Sequence, residues 1–191
     1  KVCLALQRLL QARGVRFVFD TAVTRLVPDG HRVVAAETPH GLLEADAFVV
    51  ALGSASHRLA RPLGLDVPVY PLKGYSITVD ASPVAGHAPR VNVTDAARKV
   101  VFARIGQRLR VAGMAELVGD STSIPAARIE SLLATARDVF PHAAGSGDVQ
   151  PWAGLRPATP TGLPLIGALP GAPGNLLFNT GHGALGFTLA F

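Results

Sequence analysis

The sequence predicts an α/β fold combined with an α+β one, in which an α/β region is interrupted by an antiparallel sheet and then resumed. Three observations carry this reading. Phe48 to Leu52 is an unbroken apolar run ending in Gly53-Ser54, the pattern of a buried parallel strand whose carboxyl end suits a ligand. Residues 75–114 hold short alternating segments joined by Gly, Pro, Asp and Asn, the pattern of antiparallel strands. Leu176 to Phe178 then reads as a strand passing through Gly181, Gly183 and Gly186 into a helix that begins at Leu185.

In chain order, Val2, Leu6, Leu9 and Leu10 fall at helical spacing with Gln7, Arg8, Gln11 and Arg13 outside, and Gly14 takes the C-cap position. They predict a surface helix packed on a sheet. Val15 to Phe19 and Thr21 to Val27 read as strands, and Asp29-Gly30 opens a small β-meander over residues 31–37 and 42–47. The Phe48 to Leu52 strand leads into a helix over Ser56 to Leu63. Beyond the proline-flanked crossing at residues 66–71, Tyr75 to Asp80, Arg90 to Val93, Lys99 to Arg104 and Leu109 to Met114 predict about four antiparallel strands. Ile129, Leu132, Leu133, Ala136 and Val139 share one face of a helix over residues 125–140, with Ser123 as its expected N-cap. The chain then enters a Gly/Pro-rich loop around Trp152 and returns to the first region.

At 49% hydrophobic and 16% charged, 191 residues suffice for a real core in one or two domains. The net charge of +5 is spread along the chain without a dense basic block, which argues against a nucleic-acid partner. No apolar run has the length of a membrane-spanning helix, so a soluble protein is expected. Cys3 is the sole cysteine, which leaves no disulfide framework and no cysteine-based metal site. Metal-ligand spacings, a nucleophile elbow and a P-loop are likewise absent. The first residue is not Met and the last falls inside an apolar run, so both ends read as cut.

The segments that cross between the two architectures carry the candidate ligand-binding groups: Tyr70, Lys73 and Tyr75 outbound, Trp152, Arg156 and Thr159 on return. Arg156, held between Gly154-Leu155 and Pro157, suits a carboxylate bidentately, or else ties its loop to backbone carbonyls. Tyr75 offers a hydroxyl to a ligand or serves as a core tyrosine with a wet tip. His182 flanks the glycine turn, where a lone histidine is more often structural than catalytic, and Glu116 reads as a turn or rim carboxylate. Backbone N–H groups at the turn suit an anion.

Four blocks, P-L-K-G-Y-S-I-T-V (71–79), R-L-R-V-A-G-M-A-E-L-V-G (108–119), W-A-G-L-R-P-A-T-P-T-G-L-P-L-I-G (152–167) and L-F-N-T-G-H-G-A-L-G-F-T-L-A (177–190), resemble the D-amino acid dehydrogenases of the FAD-dependent D-amino acid oxidase and glycine oxidase superfamily. The resemblance runs over nearly the whole chain. It implies a partial FAD-binding domain of Rossmann-like, glutathione-reductase type over 1–69, an inserted antiparallel substrate domain over 70–150, and a return to the FAD domain over 151–191. It also implies an enzyme that oxidises a D-amino acid to an imine, and thence to a 2-oxo acid and ammonia, by hydride transfer to the flavin, with electrons passed to a respiratory acceptor such as a quinone. Arg156 is then the carboxylate clamp, with Tyr75 adding a hydrogen bond. Val23 falls on the adenine side, Ala51, Leu52 and Gly53 on the strand end that touches the cofactor, and Trp152 is also a cofactor-binding residue. Gly181, His182, Gly183, Ala184, Leu185 and Gly186 wrap the flavin ring. A cytoplasmic protein, peripheral on the inner membrane, is the expected location.

The chain departs from that pattern in lacking an opening strand and G-x-G-x-x-G turn for the pyrophosphate, and in carrying Ala184 and Phe187 near the ring. A fragment with weak FAD binding is therefore expected. Two other readings stay open from the sequence: a glycine- or sarcosine-type oxidase that uses oxygen, and a non-catalytic binding or assembly module.

Overall fold

The computed structural model describes residues 2–81, 88–142 and 148–188. Its elements are α1 (Val2–Ala12), β1 (Arg25–Asp29), β2 (Arg32–Thr38), β3 (Gly41–Glu44), β4 (Phe48–Val50), α2 (Ser56–Ala60), β5 (Tyr70–Asp80), β6 (Val93–Asp95), β7 (Val100–Ile105), β8 (Arg108–Glu116), α3 (Ala126–Val139), β9 (Val149–Ala158), β10 (Leu165–Gly167) and β11 (Leu176–Thr180). They form three sheets: β1-β2-β3, β10-β11-β4 and β6-β7-β8-β5-β9.

The first two sheets share a core of Leu26, Val33, Val50, Leu59, Leu176 and Phe178. β4 and β11 run parallel, with Phe48 beside Leu176 and Val50 beside Phe178, so the strand expected from the apolar run is present. Asn175 joins the two sheets. Its side chain accepts from the Val33 N–H at 2.8 Å and donates to the carbonyls of Val33 at 2.8 Å and Asp46 at 3.0 Å, while its own carbonyl accepts from the Phe48 N–H. A buried amide thus replaces a strand rung.

The third sheet is antiparallel and packs one face on α3, around Ile77, Val79, Phe102, Leu109, Val111 and Leu132. Five strands stand where about four were expected, because residues 149–158 form β9 rather than a loop. β9 pairs with β5 over ten successive residues. It is an edge strand, and Pro151 and Pro157 lie six residues apart, so both direct their missing N–H to the same side, away from β5. A return to the first region at residue 151 therefore falls inside the antiparallel sheet, with β9 ending at Ala158.

Other expectations need correction. α1 forms with Gly14 at φ +86°, yet it has no buried residue, so its apolar stripe does not rest on a sheet within the described residues. Val15 to Phe19 forms no strand, and Val18 and Phe19 are exposed; a strand needs a hydrogen-bonded neighbour, and none of the three sheets supplies one there. The strand read at residues 90–93 lies at Val93–Asp95. Pro125, not Ser123, occupies the N-cap of α3, and Ser123 instead offers its carbonyl to the Lys73 ammonium.

Candidate functional site

Strand alternation decides what the antiparallel sheet presents. On β5, Tyr75, Ile77 and Val79 point toward α3, whereas Gly74 and Ser76 point to the opposite face. In register, Gly74 lies beside Gly154 and Ser76 beside Trp152, so Trp152, Gly154 and Arg156 of β9 share that open face. From the other flank, β8 adds Arg110 and Ala112. These residues line a pocket of about 340 Å³.

Two glycines make the room. A Cβ on Gly154 would lie 2.2 Å from Cη2 of Trp152, so the indole occupies the space a side chain would take. A Cβ on Gly74 would lie 3.7 Å from Nη2 of Arg156 and 3.8 Å from its Cζ, so the guanidinium lies over the β5 backbone. Arg156 has no carboxylate partner among the described residues. Its guanidinium lines the pocket, which suits a ligand carboxylate rather than a loop tie.

Tyr75 does not join it. The side chain is 2% exposed and its hydroxyl donates to Oε2 of Glu116 at 2.5 Å, while Oε1 of Glu116 pairs with Arg128 at 2.5 Å. Lys73, 1% exposed, stands 5.0 Å from the Tyr75 ring centroid. The expected pairing of Tyr75 with Arg156 therefore fails, because the two project from opposite faces of one sheet; Tyr75 is the core tyrosine with a polar tip.

The glycine turn and the β4 end converge beside Arg156. The Gly183 N–H donates to the carbonyl of Pro157, the residue after Arg156, at 2.9 Å. Thr180 donates its hydroxyl to the Gly53 carbonyl at 2.9 Å and accepts from the buried Ser56 hydroxyl at 3.1 Å, tying the carboxyl ends of the two parallel strands together. A Cβ on Gly53 would meet Pro157 at 3.7 Å, and one on Gly181 would meet Thr159 at 2.6 Å. Ala51, Leu52, Gly53, Gly181, His182 and Gly183 thus sit at one corner with the end of β9. Val23 lies elsewhere, just before β1 in the separate three-stranded sheet.

Three details of the turn differ from expectation. Residues 183–188 are turns rather than the first residues of a helix, and 189–191 lie outside the described residues. The Gly183 N–H is already used by Pro157 and the Leu185 N–H by His182, so within residues 181–186 the N–H groups of Gly181, His182, Ala184 and Gly186 have no backbone partner among the described residues. A Cβ on Gly183 would meet nothing within 4 Å, so what demands glycine there is its φ of +56°, and close packing belongs to Gly181 instead. The spacing G-x-G-x-x-G occurs at Gly181, Gly183 and Gly186 behind β11, which is distinct from the opening pyrophosphate turn.

The crossing segments divide between two hollows. Tyr70 and Thr159 line a larger one of about 860 Å³ with His57, Val69, Leu117 and Asp120, which holds none of Trp152, Arg156 or the glycine turn. Sequence reasoning missed Gly74, Ser76, Arg110 and Gly154 as pocket residues. The signal was the alternation itself, which places Gly74 and Ser76 opposite Tyr75.

The family model described as DAO, FAD dependent oxidoreductase, matches residues 1–191. A D-amino acid dehydrogenase of Vibrio cholerae serotype O1 is 47% identical over 190 residues, which cover 98% of this chain and 44% of that protein. A D-amino acid dehydrogenase of Bradyrhizobium diazoefficiens is 48% identical over 186 residues, with 97% and 44% covered. The chain thus spans about half the length of the curated relatives it matches. Among solved structures, glycine oxidase from Geobacillus kaustophilus superposes with a TM-score of 0.78 at 27% identity, over 89% of this chain and 45% of that one. L-proline dehydrogenase from P. horikoshii gives 0.81 at 15% identity, over 94% and 49%, and so shares the fold.

The residues present fit the ring end of a flavin. The turn leaves open space at Gly183, the N–H groups of His182 and Ala184 stand free of backbone partners among the described residues, and Leu52 and Leu185 expose apolar surface at the same corner.

Proposed function

We propose, because this chain belongs to the DAO family of FAD-dependent oxidoreductases, that it forms the substrate side and the flavin-ring side of an enzyme that oxidises D-amino acids. The observation that carries the reading is the Arg156 guanidinium, unpaired among the described residues, on the residue next to Pro157, which meets Gly53 and the Gly183 N–H. Arg156 takes the substrate carboxylate as a planar fork and so fixes the α-carbon toward that corner. Gly74 and Gly154 let the Arg156 guanidinium and the Trp152 indole lie close against the sheet, and so shape the pocket that receives the substrate. Bound FAD supplies the two-electron acceptor. The N–H groups of His182 and Ala184 offer hydrogen bonds to negative charge at the ring edge. No side chain here needs to act as a strong base when the amine reacts neutral, and His182 has no assigned proton to move. The dehydrogenase names of the relatives support an onward acceptor in a respiratory chain, such as a quinone, over oxygen, and the net charge of +5 is compatible with a location peripheral on an anionic inner-membrane surface. The products in this reading are a 2-oxo acid and ammonia.

The test is Arg156→Lys in a protein extended to the length of the relatives and loaded with flavin. KM for a D-amino acid should rise at least about tenfold, since Lys cannot reproduce the bidentate fork, while flavin absorbance per protein stays constant. Unchanged KM would remove Arg156 from the site.

A further inference from the structure

We propose that Arg110 and Trp152 act as one unit forming the side-chain wall of the Arg156 pocket, with Arg110 a positioning residue that works through the indole. This rests on the reading of Arg156 as the carboxylate clamp. Arg110 projects from β8 and Trp152 from β9, the two neighbours of β5, and they meet above β5 from opposite flanks. The Arg110 Nη2 donates to Ser76 Oγ at 2.8 Å, and its Cζ stands 5.2 Å from the indole centroid. Among the described residues no acidic side chain lines the pocket, so this cation is held by one hydroxyl and one π face. Fixing such a side chain forfeits rotamer freedom, and what it secures is the orientation of a half-exposed ring that would otherwise turn off Gly154.

The placement gives the unit its role. Gly74, under the Arg156 guanidinium, and Ser76, bonded to Arg110, are two residues apart on one face, a spacing of about 7 Å. A substrate whose carboxylate sits on Arg156 has that length for its side chain, along Trp152 and Ala112. An uncharged side chain, flat or aliphatic, packs on the indole there. A cationic one meets the Arg110 charge with no carboxylate nearby to offset it, so the pocket selects against lysine- and arginine-like side chains.

Two measurements test this. Trp152 is the chain's single tryptophan, so its emission reports on the pair directly. In this chain Arg110→Met should change the emission and increase quenching by acrylamide, and Arg110→Lys should restore most of the wild-type behaviour. In the extended, flavin-loaded protein, Arg110→Met should raise KM for D-phenylalanine relative to D-alanine by about twofold to thirtyfold, the range that a cation–π contact carries. It should also reduce the penalty against D-lysine, and Arg110→Lys should reverse both changes. Ser76→Ala, which removes the anchoring hydroxyl and keeps the charge, should move the phenylalanine-to-alanine ratio in the same direction. Equal factors for all three substrates, or unaltered emission, would overturn the proposal. Failure of the carboxylate reading looks different: Arg156→Lys would then leave every KM unchanged while the fluorescence of the Arg110 variants still responded.

Discussion

The two faces of the five-stranded sheet are built from the same strands and meet opposite fates. Toward α3, Tyr75, Ile77, Val79, Phe102 and Val111 are each at most 2% exposed and pack against Leu132 and Ala136. Away from it, Gly74, Gly154 and Ala112 leave a hollow, and the large side chains over it are two arginines and a tryptophan that is 55% exposed. The contrast separates what holds the fold from what meets a ligand. On the covered face neighbours are fixed, so volume governs stability; on the open face the side chains end in solvent and can yield, so their arrangement governs binding.

The comparison breaks most readily at Leu132, 1% exposed on α3. Leu132→Ala should lower stability by about 2–5 kcal/mol, read from the denaturant midpoint. Trp152→Ala removes more atoms but from a half-exposed site, and should cost clearly less; equal costs would erase the distinction between the faces.

A sharper version uses one substitution on each side. A Cβ on Gly113 would lie 2.8 Å from Val100 Cγ2, 3.3 Å from the Lys99 carbonyl and 3.4 Å from Leu132 Cδ2, all packed against the helix side. Gly113→Ala should therefore destabilise by about 1–3 kcal/mol. In Gly154→Ala the clash is with the free end of Trp152, which can swing outward. Stability should change by less than about 1 kcal/mol, and the tryptophan emission should shift instead. Identical melting losses would show that the open face is as rigid as the covered one.

The smallest effect is at the rim. The backbone N–H and then the guanidinium of Arg98 hold the Asp95 carboxyl below the usual aspartate range, and the same guanidinium also pairs with Asp138 near the end of α3. A depressed carboxyl stabilises the fold above its ordinary pKa and loses that contribution as pH falls through its lowered value. An acid titration of wild type against Asp95→Asn should thus converge only below the usual aspartate range, with only a small stability difference near neutrality, as for exposed pairs.

Much of this was legible without coordinates. The apolar run at Phe48, the helical spacing of α3, the alternation of β5, β7 and β8, and the glycine turn behind Leu176 each carry a local signal, because backbone period and side-chain character repeat together. β9 was not legible. Its two prolines and Gly154 read as loop chemistry, and only its place at the sheet edge makes those residues acceptable in a strand.

Residue types and their order determined that the chain would hold a parallel pair, an antiparallel sheet with a helix on it, an arginine in a Gly/Pro-rich segment and a glycine turn. Only the tertiary structure decided which of these meet. Tyr75 and Arg156 are both polar groups on crossing segments, but the register that sets Tyr75 beside Ala153 puts them on opposite faces. The same register sets Gly74 beside Gly154 and brings Arg110 across to Trp152. Register arises from pairing between strands distant in sequence, here β5 with β8 and β9, and a shift by one residue would exchange the two faces entirely, so no local pattern can specify it.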